Sequence, residues 1–201
     1  MECIEDKIFR KIKRGKKGVP FFVEMFTKFG NAKAVSKALE RMVNQGKLYR
    51  IATGIYVLPV EDSFIGKVFP TIDEIAVAIS KRDKARIIPT GSYAMYKLGL
   101  TTQVPMNVVY YTDTSARIIK IGGRTIKFKK ASSRNLAYQG KISMLAVQAL
   151  RTIGKENVLD KEVQQIKQIL QYENPKYLQH DLSLAPMWIK TLLTQKINED
   201  E

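Results

Sequence analysis

The chain has 201 residues, 45% of them hydrophobic, with 34 Lys and Arg against 19 Asp and Glu, a formal charge of +15. Those figures describe one medium globular domain or two small ones. A single cysteine, Cys3, and a single histidine, His180, exclude a disulfide framework, multi-cysteine zinc sites and paired-histidine metal motifs. No apolar run approaches the roughly 18 residues of a membrane helix. The opening MECIEDKIFRKIKR is charged throughout and lacks the apolar core of a secretory signal, so a cytoplasmic protein without membrane contact is expected. The basic balance makes nucleic acid the first partner to consider.

Residues 1–60 hold 13 Lys and Arg against 5 Asp and Glu, a balance of +8 on under a third of the length. Ile4, Ile8 and Ile12 recur at helical spacing and predict an amphipathic helix over 2–14. Gly15 to Gly18 ends it. Pro20 is placed to open a second, short helix through Lys28, with Phe22, Val23, Phe26 and Phe29 on its apolar side. After Gly30-Asn31 a third helix is predicted from Ala32 to Gln45. Val35, Leu39 and Met42 line its inner face; Lys33, Lys37, Glu40 and Asn44 fall opposite, flanked by Ser36 and Arg41. The period then drops to two in Leu48–Ile51 and Ile55–Leu58, joined by Ala52-Thr53-Gly54 as a hairpin.

Three helices and a hairpin are the order of a winged helix-turn-helix, whose third helix enters the major groove. Lys28, Asn31, Lys33, Ser36, Lys37, Arg41, Lys47, Arg50 and Thr53 are the expected DNA contacts, since Lys and Arg reach phosphate or guanine and Asn or Ser reach base edges. A helical bundle used for protein docking has the same outline.

A domain boundary is expected at 60/61, with Pro59 to Pro70 as the connection to an α+β domain over 61–201. Thr71 with Glu74 reads as a capping box for a helix to about Arg82. Arg86–Ile88 is a short strand ended by Pro89, Ser92–Leu98 a short helix, and Met106–Thr112 a strand. Arg117–Ile121 and Thr125–Lys129 pair across Gly122-Gly123-Arg124. Alternation predicts Ile118, Ile126 and Phe128 inside, with Lys127 and Lys129 outside. A helical tail follows at roughly 141–152, 160–173 and 183–197. The fold class is therefore α+β: an N-terminal winged helix, then a mixed α+β domain with a helical tail.

From Thr114 to Lys155 there are ten basic residues and no acid. Arg124, Lys127, Lys129 and Lys130 are candidates for a second nucleic-acid contact; the plainer account is a strand edge guarded by lysine. Thr90-Gly91-Ser92, before a strand, resembles the glycine–serine turn of a nucleotidyltransferase site. That chemistry needs two carboxylates on the following strand to hold two divalent metals. The strand Met106-Asn107-Val108-Val109-Tyr110 carries none, and Asp113 alone cannot replace the pair. No enzyme, catalytic residue, metal or cofactor is expected. His180, in an expected polar loop over Tyr177–Asp181, reads as a surface or helix-start residue rather than a catalytic one.

The stretch Ala34–Val43, with Gly46-Lys47-Leu48, Arg50 and Thr53-Gly54-Ile55-Tyr56-Val57, resembles the winged helix of AbiEi-type antitoxins, of the type IV toxin–antitoxin (abortive infection) systems. The segment Gly91–Thr101 followed by Gln103-Val104-Pro105 is similar to the start of that family's C-terminal domain. The resemblance implies a transcriptional autorepressor that binds inverted repeats in its own promoter. It also implies an antitoxin acting against a nucleotidyltransferase-like toxin, without a direct complex being assumed. The alternatives are a winged-helix regulator whose C-terminal domain dimerises or senses a ligand, and an RNA- or nucleotide-handling relative of the transferases.

Overall fold

The structure, a computed structural model, describes residues 3–195. It is α+β, and the described residues divide into two compact units, those up to 84 with 119–123, and 85–118 with those from 124 onward. The first unit therefore runs well past the expected boundary at 60.

In that unit α1 (Ile4–Arg14) leads to a two-residue strand β1 (Phe21–Phe22), a 3-10 turn (Val23–Phe29), α2 (Ala32–Asn44) and the hairpin β2 (Tyr49–Ala52) and β3 (Ile55–Val57). β1 pairs antiparallel with β3, giving the sheet order β1-β3-β2. This is the winged-helix arrangement, with one correction. The segment expected as a helix from Pro20 begins as a strand, because Phe21 and Phe22 are both buried and pair with Tyr56 and Ile55. Consecutive buried aromatics suit a strand buried on both faces better than one stripe of a helix. The core joins Ile8 and Ile12 of α1, Phe21, Phe26 and the inner face of α2.

The expected connection 59–70 is instead a second hairpin, β4 (Val60–Asp62) and β5 (Gly66–Val68). Its tie to the first unit is aromatic and polar. Lys67 donates to the Tyr49 hydroxyl at 2.7 Å, and the Phe69 ring meets Tyr49 edge-on at 5.2 Å. α3 (Ile72–Arg82) follows, started by the Thr71–Glu74 capping box as expected. Arg82 lies over the Phe22 ring at 4.5 Å. These contacts explain why residues up to 84 belong with the winged helix.

The second unit contains β6 (Ile87–Thr90), α4 (Ser92–Lys97), β7 (Asn107–Thr112), β9 (Arg124–Lys130) and the first two residues of β8 (Arg117–Ile121, of which 119–121 count with the first unit); the sheet order is β6-β7-β9-β8. β6 runs antiparallel and β9 parallel to β7. Pro89 does not end β6 but sits within it, opposite Tyr110, tolerated because β6 is an edge strand. Ile126 and Phe128 are buried as expected, but Ile118 is 59% exposed. β8 takes the opposite phase: Arg117 lies over the Phe128 ring at 5.0 Å, which turns Ile118 outward.

The tail is α5 (Lys141–Ile153), α6 (Asp160–Leu170), α7 (Pro175–Leu184) and α8 (Met187–Thr194). The helix expected over 183–197 is α8, which starts only after Pro186, and its residues 196–197 lie outside the described residues; α7, which covers the stretch expected as a polar loop, is an additional helix. His180 is helical rather than in a loop. The start of α5 is held by carboxylates from α7 and the turn before it. Asp181, fully buried, accepts from the Gln139 and Gly140 N–H groups at 2.8 and 2.9 Å and from the Ser143 hydroxyl at 2.6 Å. Its other neighbour is His180 Nδ1 at 3.0 Å. Glu173 accepts from the Ile142 and Ser143 N–H groups at 2.6 and 3.1 Å. Two anions thus satisfy the first turn of α5, where the helix dipole favours them.

Asp181→Asn should lower stability by about 2–3 kcal/mol, because an amide presents a donor where three donors converge. Gly140→Ala should also destabilise, since a Cβ there meets the Glu173 carboxylate and the Ser143 hydroxyl. Urea unfolding followed by Trp188 fluorescence would show both midpoints falling.

Candidate nucleic-acid interface

The chemistry of α2 follows from which side it buries. Val35, Ala38, Leu39 and Met42 are each 0% exposed, so the helical period turns Lys33, Lys37, Glu40 and Asn44 to solvent. Asn31 is exposed but is the N-cap: its side-chain oxygen accepts from the Ala34 N–H at 2.9 Å. That oxygen fixes the helix start, leaving the amide nitrogen as the group that could meet DNA. Ser36 is half-buried on one flank of the exposed face.

Arg41 lies on the other flank, where its Nε donates to the Glu5 carboxylate of α1. That ion pair joins α1 to α2, and the Arg41 side chain stays 59% exposed. Lys28 is exposed at the end of the 3-10 turn that precedes α2. Arg50 and Thr53 are exposed on the wing, Thr53 in the two-residue turn with Gly54 at φ 72°. Arg50 stands opposite Tyr56 in the wing register. The Tyr56 hydroxyl is pushed above its ordinary pKa by burial, with the Arg50 charge opposing and the Glu40 charge reinforcing. Charges from α2 and the wing thus meet around one tyrosine.

Lys47 belongs to a different group. It follows the C-terminal end of α2, and the 13 residues of that helix separate it from Asn31 by about 20 Å. Lys47 and Lys13 hold their ammonium groups 5.9 and 4.5 Å from the Phe9 ring. With Lys17, Lys67, Tyr49 and Glu61 they line a cavity of about 500 Å³. Lys13, Lys17 and Lys67 were not among the expected contacts. The signal for Lys13 was the basic end of α1 and for Lys17 the basic turn after it; Lys67 had none, because its hairpin was not legible.

In the second unit Arg124, Lys127, Lys129 and Lys130 are all exposed on β9. Lys127 and Lys129 share one face, opposite the buried Ile126 and Phe128. β9 lies between β7 and β8, so guarding a sheet edge does not account for these lysines. The Thr90-Gly91-Ser92 turn does join strand β6 to helix α4, with Gly91 at φ 68°. Thr90 stands opposite Val109 of β7, and Asp113 beyond that strand accepts the Arg86 N–H at 3.0 Å. Among the described residues no group of three or more His, Cys, Asp or Glu could hold a metal ion, and no helix is long and apolar enough to cross a membrane.

These features define an α+β chain with a basic winged helix at its N-terminal end. The chain belongs to a family of unknown function, DUF6088, which matches residues 7–178. It is similar to the RV2827C protein of Mycobacterium tuberculosis, known from a crystal structure, at 12% identity and a TM-score of 0.47, covering 98% of this chain and 83% of that one. No curated protein matches it.

Substitution in α2 and in the wing should separate two kinds of contact. Lys37→Ala should cut discrimination between operator and random DNA by about 1–3 kcal/mol, whereas Arg50→Ala should weaken both alike. Arg41→Ala should act mainly on stability, matched by Glu5→Ala. Fluorescence anisotropy on the two DNAs, paired with thermal unfolding, reads all three variants.

Proposed function

We propose that this chain is a DNA-binding antitoxin and transcriptional autorepressor of a toxin–antitoxin operon, working in the cytoplasm on double-stranded promoter DNA with inverted repeats. The observation that carries the DNA half is the exposed face of α2. Lys33 and Lys37 stand at its N-terminal half, beside a wing bearing Arg50 and Thr53. Such a helix presents donors that read guanine in the major groove, and Glu40 adds an acceptor suited to the cytosine amino group. Phosphate contacts from Lys28 and the wing would set orientation without reading sequence.

The antitoxin half rests on the resemblance to AbiEi-type antitoxins. Its functional partner would be a nucleotidyltransferase-like toxin, with no direct complex required. The second unit supports a non-catalytic role: the strand after the Gly91-Ser92 turn offers no carboxylate for metal-dependent transfer. No cofactor enters this reading.

Titrating the full chain against its own upstream DNA and a scrambled duplex tests the proposal. The expected result is tighter binding to the upstream sequence, with log K falling linearly against log salt. Equal affinity for both duplexes would overturn it. Changing Lys127, Lys129 and Lys130 together to Gln should flatten the slope by about 0.9 for each phosphate they contact. An unchanged slope would confine DNA contact to the winged helix.

A further inference from the structure

Two features of the first unit lie outside the exposed face of α2 and the β2–β3 wing. One is the β4–β5 hairpin, whose tip leaves Phe64 95% and Ile65 76% exposed. The tip is fixed in shape. The Asp62 side chain accepts both the Phe64 N–H at 2.8 Å and the Ile65 N–H at 3.1 Å, closing an Asx turn. The stem is tied to Tyr49 through Lys67 and Phe69. A firmly built arm that holds two large apolar side chains in water marks a surface made for contact.

The other feature is a groove of about 560 Å³ with an apolar floor that includes Val19, Pro20, Met25 and Val77. Val19, Met25 and Val77 are 44%, 48% and 43% exposed, so none of the described residues covers them fully. The groove has room for a phenylalanine and an isoleucine side chain. The arm springs from its margin: Gly18, which lines the groove, donates its N–H to Leu58 at 2.8 Å and faces the Val60 side chain. The arm's own tip is not in it.

We propose that the Phe64-Ile65 tip of one copy fills the groove of a second copy, and reciprocally, in a two-fold dimer. Knob and socket lie on the same unit, so a single two-fold axis closes both contacts and leaves neither apolar surface open. The charges match. The arm carries Glu61 and Asp62 against Lys67, and the socket is lined by Lys16, Lys81 and Arg82 against Asp73 and Glu74, so the arm is acidic by one charge and the rim basic by one. Of the rim acids, Glu74 is turned to its own helix start, accepting from Thr71. For two chains of charge +15, an acidic arm on a basic rim offsets mutual repulsion where they meet. The proposal stands apart from the DNA reading and needs no operator.

Sedimentation velocity of the full chain across a concentration series tests it. The wild type should show a monomer–dimer equilibrium. Phe64→Ser with Ile65→Ser in the arm, or Val77→Glu in the socket, should each weaken self-association by about thirtyfold or more. All three side chains are exposed, and circular dichroism should show both variants folded. Mixing the two variants should restore a dimer, because one intact tip then meets one intact socket. In a Cys3→Ser background, a Phe64→Cys chain mixed with a Val77→Cys chain should form a disulfide-linked heterodimer, which neither gives alone. A wild type that is monomeric up to its highest soluble concentration overturns the proposal. So does a dimer that neither variant weakens, or a mixture that stays monomeric.

Discussion

The burial of one side of α2 is the constraint on which the first unit depends. Val35, Ala38, Leu39 and Met42 are sealed against α1, Phe21 and Phe26. Rotating the helix to expose any other face would bring Lys33 or Lys37 into an apolar core, which neither charge tolerates unpaired. The register of the exposed face, and with it the spacing of every group that could meet a base edge, is set from inside. Arg41 and Glu5 then lock the flank, so α1 and α2 present their surfaces as one body.

The second unit solves a different problem. α5 carries Ala146, Val147, Ala149 and Leu150 into the core, and none of them is exposed. A helix so deeply placed cannot leave its first N–H groups to water. Glu173 and Asp181 supply the acceptors, and Gly140 has no side chain because two oxygens occupy the space a Cβ would take. A buried serine, a buried aspartate and a neighbouring histidine superficially suggest a catalytic set. Here Ser143 donates directly to Asp181 and the histidine lies on the far oxygen, so the geometry is that of a cap.

Charge in this protein is also arranged by function of place rather than by run. The basic residues of β9 are an exposed face of an interior strand, while those of α1 and Lys47 gather around Phe9 and a cavity. The acids next to the hairpin tip interrupt the basic surface of the first unit where an apolar knob stands out. A net charge describes how strongly such a chain draws polyanions; the local pattern describes where.

Most helices and the wing were legible in the sequence because their signals are local. The 3.6-residue recurrence of Ile4, Ile8 and Ile12, the Thr71–Glu74 box and the Ala52-Thr53-Gly54 turn need no distant partner to act. The outward Lys33–Lys37 face and the inward Ile126 and Phe128 were legible for the same reason. What only the tertiary structure decided were features whose energy comes from residues far along the chain. Phe21 and Phe22 become strand because Tyr56 and Ile55 pair with them, and Ile118 turns outward because Arg117 covers Phe128. Residues 60–69 become an arm because Tyr49 holds its stem, and Arg41 is paired with Glu5, 36 residues earlier. Periodicity records which face of an element is apolar; it carries no record of what arrives to cover it.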